Sequence, residues 1–125
     1  MNIIKAQLID KHSLKNINLL TFKSGDFLIK VLILQMNVSL NIGDIADLSI
    51  KPTKLFLTKE KCNFENVLKV KIKDIQKGEI VSSVIIEFDH NTLEVIMLSE
   101  MVDFDKEAYL LFKSSDISIL GKSDG

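Results

Sequence analysis

Apolar and polar residues alternate with period two along much of the chain. Ile4-Lys5-Ala6-Gln7-Leu8 does so, and Leu68-Lys69-Val70-Lys71-Ile72-Lys73 does so again. Successive side chains of a strand point to opposite faces, so each stretch predicts a half-buried strand. The two stretches are also related to each other. A shift of 64 positions places Asn2 on Asn66, Ile4 on Leu68, Ala6 on Val70, Leu8 on Ile72 and Asp10 on Asp74. The same shift carries Ile17 onto Val81, Leu20 onto Val84, Phe22 onto Ile86, Val31 onto Val95 and Ile33 onto Met97. It holds without a gap to Gln35 and Ser99. Two extra residues near Asn41-Ile42-Gly43-Asp44 then reduce the shift to 62, at which Leu48 meets Leu110, Ile50 Phe112, Lys51 Lys113, Thr53 Ser115 and Leu57 Ile119. Internal repetition of this kind marks a duplicated structural unit. The copies span 1–60 and 64–122, with Glu60-Lys61-Cys62-Asn63 at the junction.

Each copy predicts five strands. In the first they cover about 3–10, 16–23, 27–36, 44–50 and 53–58, and in the second about 66–74, 80–88, 92–99, 107–113 and 116–120. Lys77-Gly78, Asp89-His90-Asn91, Asp103 to Lys106 and Ser114-Ser115 supply turn signals between them, and a short helical turn fits near Asn37 to Asn41. Five short strands with an apolar face must curl to bury it. The predicted fold is all-β, two tandem five-stranded barrels of OB type. The third strand of each copy is apolar on both faces. Ile29, Val31 and Ile33 oppose Leu32 and Leu34, and Leu93, Val95 and Met97 oppose Ile96 and Leu98. A small barrel buries one of those faces within itself, so the other face predicts packing between copies, between chains, or both. A homo-oligomer is expected.

Composition sharpens this picture mainly by exclusion. The apolar content of 46% supports a packed core, and the absence of Trp leaves the packing to Ile, Leu and Val. The net charge is −1, and all 16 basic residues are lysine. A nucleic-acid partner is not expected, because no basic field and no arginine fork is present. Cys62 is the single cysteine, so no intramolecular disulfide forms. His12, His90 and Cys62 lack zinc-ligand spacing, and the two histidines read as surface turn residues. The longest apolar run, from Phe27 to Met36, contains Lys30 and is too short to span a bilayer. No signal peptide is read at the start, so the expected location is the cytoplasm, without membrane association. Neither a nucleophile–base arrangement nor a Gly-rich phosphate loop is legible, and an enzyme is not expected.

Candidate chemistry gathers late in the second copy, in Leu111-Phe112-Lys113-Ser114-Ser115-Asp116-Ile117-Ser118-Ile119. Lysine offers charge, and serines in a turn offer hydroxyl and backbone donors pointing one way, a holder for a small oxyanion. The first copy matches it with Lys51-Pro52-Thr53, in which Pro52 has neither hydroxyl nor N–H.

These residues, with Asn66-Val67-Leu68-Lys69-Val70, Ile75-Gln76-Lys77-Gly78-Glu79-Ile80, Val84-Ile85-Ile86-Glu87 and Asn91-Thr92-Leu93, resemble the TOBE/Mop family of molybdate- and tungstate-binding modules. The resemblance covers both copies, the first more distantly. It implies OB-like barrels that assemble symmetrically, with molybdate or tungstate bound between units as the ligand and no organic cofactor or protein–metal bond. The oxyanion contacts it implies are Lys113, Ser114 and Ser115, with Lys51 and Thr53 in the first copy. It also marks departures. Leu98 and Met101, and Leu34 and Asn37, stand where the family often carries Thr or Ser. Glu65 stands where it often carries Arg, and its charge opposes an oxyanion. The expected function is non-enzymatic oxyanion binding for storage, buffering or sensing. The alternative is a module that has lost the ligand and acts through protein partners, such as a molybdate transporter or regulator.

Overall fold

The structure, a computed structural model, describes residues 1–35 and 39–123. Within them the first repeat supplies strands β1 (Asn2–Leu14), β2 (Ile17–Ser24), β3 (Phe27–Ile33), β4 (Ile45–Ile50) and β5 (Phe56–Thr58). The second supplies β6 (Asn66–Lys77), β7 (Val81–Phe88), β8 (Asn91–Leu98), β9 (Glu107–Phe112) and β10 (Ser118–Lys122). They form two five-stranded antiparallel sheets, ordered β10-β4-β1-β2-β3 and β5-β9-β6-β7-β8, an all-β fold of tandem OB-like type.

One long bent strand organises each sheet. β1 pairs with β4 over Asn2–Gln7 and with β2 over Gln7–Leu14, with a bulge between Leu8 and Asp10 beside the change of partner. β6 pairs with β9 over Asn66–Lys71 and with β7 over Lys71–Lys77, with a bulge between Ile72 and Asp74. The two bulges occupy matching repeat positions. A bulge adds local twist and bends its strand, which lets a five-stranded sheet curl over its own apolar face. That face carries Ile4, Ala6 and Leu8 of β1 and Leu68 and Val70 of β6, all buried. The buried side chains of both repeats form one contiguous cluster.

The fifth strands are exchanged. β5 pairs with β9, setting Phe56 opposite Leu111, Leu57 opposite Leu110 and Thr58 opposite Tyr109. β10 pairs with β4, setting Ser118 opposite Ser49 and Ile119 opposite Leu48. Each exchange follows a single 3-10 turn, Pro52–Lys54 before β5 and Ser114–Asp116 before β10. The sequence predicts strands from 53 and 116. They start later, at Phe56 and Ser118, because these turns take the residues between. β1 and β6 run longer than predicted, to Leu14 and Lys77, so His12 is an exposed strand residue rather than a turn residue. Met36, predicted in the third strand, and 37–38 of the predicted helical turn lie outside the described residues. Residues 39–41 are not helical, whereas the second repeat has a 3-10 turn at Ser99–Met101.

The outer strands β3 and β8 are each held by an asparagine of the other repeat. The side-chain amide of buried Asn66 donates to the Lys30 carbonyl (3.0 Å) and accepts the Lys30 N–H (2.7 Å). Asn2, also buried, donates to the Glu94 carbonyl (2.8 Å) and accepts the Glu94 N–H (2.8 Å). Each primary amide thus imitates one rung of a β-ladder and satisfies an edge strand's backbone. The β2–β3 and β7–β8 hairpin tips also meet. Asn91 Nδ2 donates to Ser24 Oγ (3.0 Å), and at the matching pair the rings of Phe27 and Phe88 pack edge to face, 5.3 Å apart.

Candidate functional site

β9 ends in buried Phe112, and the chain leaves it through Lys113 in an extended conformation. The following turn is closed by the Asp116 N–H donating to the Lys113 carbonyl (3.2 Å), after which Ile117 is buried. Within that turn Ser114 is buried, while Lys113 and Ser115 are exposed. The first repeat makes the same turn: the Lys54 N–H donates to the Lys51 carbonyl (2.9 Å), with Lys51 and Thr53 exposed and Pro52 in the position of Ser114.

The donors of Ser114 converge. Its backbone N–H (2.8 Å) and its hydroxyl (2.7 Å) both donate to Glu65 Oε1. Glu65 reaches them because Asn66, the next residue, lies opposite Phe112 in the β6–β9 ladder. The Ser114 hydroxyl first, its N–H second and the Lys113 charge last hold the Glu65 carboxyl below the usual carboxylate range, against desolvation. The turn therefore already cradles one anionic oxygen with two directed donors and a lysine next to them.

The exchange of fifth strands decides what each turn faces. The Pro52–Lys54 turn packs on β8 and the Ser114–Asp116 turn on β3, so each lies against the third strand of the other repeat. The five predicted site residues consequently form two separate turns. Thr53 sits at the lip of a groove of about 480 Å³ with Phe56, Leu57, Leu98 and Met101 among its other lining residues. Leu98 and Met101 are the two positions read from the sequence as lacking hydroxyls, and here they make the wall apolar. The second-repeat turn is the better anion holder of the two, because Ser114 brings a hydroxyl and an N–H where Pro52 brings neither.

Sequence reasoning noted Glu65 only as an opposing charge and missed that it takes the Ser114 donors. The signal was available in the register: pairing residue 66 with 112 sets residue 65 beside the Lys113–Ser114 turn. Among the described residues, no group of three or more His, Cys, Asp or Glu side chains is placed to hold a metal ion. Among the same residues, no helix is long and apolar enough to cross a membrane.

No family model and no curated protein matches this sequence. Its fold is similar to that of a solved structure of ModG, a cytoplasmic molybdate-binding protein, with molybdate bound. The TM-score is 0.83, the match covers 94% of each chain, and sequence identity is 14%. At that identity the likeness establishes the fold.

Proposed function

We propose that this protein is a cytoplasmic, non-enzymatic binder of a tetrahedral oxyanion, molybdate or tungstate, serving storage, buffering or sensing. The observation that carries the reading is the convergence of the Ser114 N–H and hydroxyl on one carboxylate oxygen beside Lys113. A carboxylate oxygen stands in well for an oxygen of a tetrahedral dianion, since both accept short charge-assisted hydrogen bonds. Each such bond contributes roughly 1.5–3 kcal/mol. Ser115 and Lys113 are the further contacts, and Lys51 and Thr53 form the weaker counterpart. The likeness to a molybdate-binding fold supports the ligand class. Exposed Leu34 and Leu98, at matching positions of the two repeats, support assembly with further copies. The division into units 1–60 and 64–122 belongs to the same proposal and is supported by the matched Asn2 and Asn66 bridges.

Titration with molybdate, tungstate and sulfate tests it. A ligand at 100 times its Kd stabilises the fold by about 2.7 kcal/mol, a readily measured thermal shift. Lys113→Ala combined with Ser114→Ala is expected to abolish the shift while the protein stays folded. Unchanged affinity in that variant removes the site.

A second reading has an observation of its own. Pro52 removes one hydroxyl and one N–H donor from the first-repeat turn, and Leu98 and Met101 line the groove beside it with apolar side chains. They leave the apolar groove beside exposed Phe56, a surface suited to a transporter or regulator protein. Absence of a shift with all three oxyanions would favour this module without a ligand.

A further inference from the structure

Ser114 is buried, and its backbone N–H is fixed by the turn that holds it. Glu65 is exposed and lies just before the first residue of β6. Of the two partners, the carboxylate is the one free to leave. Swinging it into water costs its contacts with Ser114 and leaves the ladder from Asn66 onward intact. The first repeat carries neither half of this arrangement, because Met1 matches Glu65 and Pro52 matches Ser114.

We propose that Glu65 is a tethered competitor for the ligand of the Lys113–Asp116 turn: its carboxylate holds the Ser114 donors, and an oxyanion binds there only by displacing it. The inference rests on the oxyanion reading above and names the residue that sets its affinity and selectivity. A tethered group competes at an effective concentration of roughly millimolar or higher. A free monocarboxylate exchanges like for like at those donors and gains nothing. A dianion presents more charge to Lys113 and can win. The tethered carboxylate thereby screens out weak anions and keeps exchange of the strong one rapid.

The experiment compares wild type, Glu65→Ala and Glu65→Gln by calorimetric titration with sodium molybdate and, separately, sodium acetate. The Ser114 amide resonance is followed in amide NMR spectra of the same samples. Glu65→Ala is expected to bind molybdate at least about tenfold more tightly than wild type, with Glu65→Gln between them. Acetate is expected to move the Ser114 resonance only in Glu65→Ala. Equal molybdate affinity in wild type and both variants overturns the tethered competitor and leaves the oxyanion reading standing. Weaker binding in Glu65→Ala also overturns it, because Glu65 then supports the ligand. No binding in any folded variant brings down the oxyanion reading, and this inference with it. If Glu65→Ala does not fold, Glu65→Gln keeps the side-chain shape and carries the same comparison.

Discussion

Asn66 shows how much one side chain does at the seam between the repeats. Its amide satisfies both backbone groups of Lys30 on the outer strand β3, and Asn2 repeats the arrangement at Glu94 on β8. Removing the amide deletes two hydrogen bonds and leaves a partly buried N–H and carbonyl without these partners. Asn66→Ala should therefore destabilise the fold by about 2–4 kcal/mol, more than the loss of two ordinary bonds, because unsatisfied groups carry the larger cost. Asn66→Asp should do no better at neutral pH, since a carboxylate cannot donate to the Lys30 carbonyl. Urea denaturation checks this through a lower midpoint at unchanged slope. A loss below about 0.5 kcal/mol would mean that water replaces the amide. The sequence marked both asparagines as matching positions. It gave no sign that their side chains complete an edge strand, because that role exists only once the two repeats face each other.

At the scale of elements, the repeat, the approximate strand positions in each copy and the turns at Ser114 and Asp89 were legible, since period-two patterning and turn chemistry act locally. The exchange of β5 and β10 was not. Leu57 and Ile119 occupy matching positions in their repeats, and β4 and β9 offer matching ladders, so either pairing satisfies the same apolar pattern. The choice is made by the direction in which the turns at 52–54 and 114–116 send the chain. Contacts beyond the ladder then anchor β10 to the first repeat. Ser123 N–H donates to the Ile45 carbonyl (2.8 Å), and Lys122 lies 3.4 Å from the Asp44 carboxylate. The Asn41 backbone N–H is the main influence lowering the Asp44 pKa, with Lys122 adding to it against desolvation. Ending the chain after Ile117 should thus expose a strand of the first repeat although the deleted strand, β10, belongs to the second. Hydrogen exchange should quicken at β4 amides that face β10, while β9, paired to β5 and β6, keeps its protection. Loss of protection confined to β9 would contradict the exchanged topology.

Across the whole molecule, exchanged strands, a shared core and reciprocal asparagine bridges make the two repeats mutually dependent. A segment covering 1–60 has β1 to β4 but sends β5 to a sheet it does not contain. It also leaves the edge of β3 without Asn66. A segment covering 64–122 has the converse defects, with β10 unpartnered and β8 lacking Asn2. Units of about 60 residues bury a small fraction of their surface and fold alone only marginally even when complete. Neither segment alone should therefore give a dispersed amide spectrum, and mixing them in equal amounts should restore one. The intact chain should melt in one transition, with an enthalpy of about 90 kcal/mol near 60 °C at roughly 0.7 kcal/mol per residue. Two resolved transitions, or a well-folded 1–60 segment with β5 turned back onto its own β4, would show that the repeats are independent barrels that merely touch. The same result would bear on the ligand turns. Each turn packs on the third strand of the other repeat, so separating the repeats would dismantle both turns' surroundings while leaving Lys113, Ser114 and Glu65 together on one segment. Oxyanion binding that survives in the isolated second segment would need only the Lys113–Asp116 turn, and binding that requires the mixture would need the wall supplied by β3 as well.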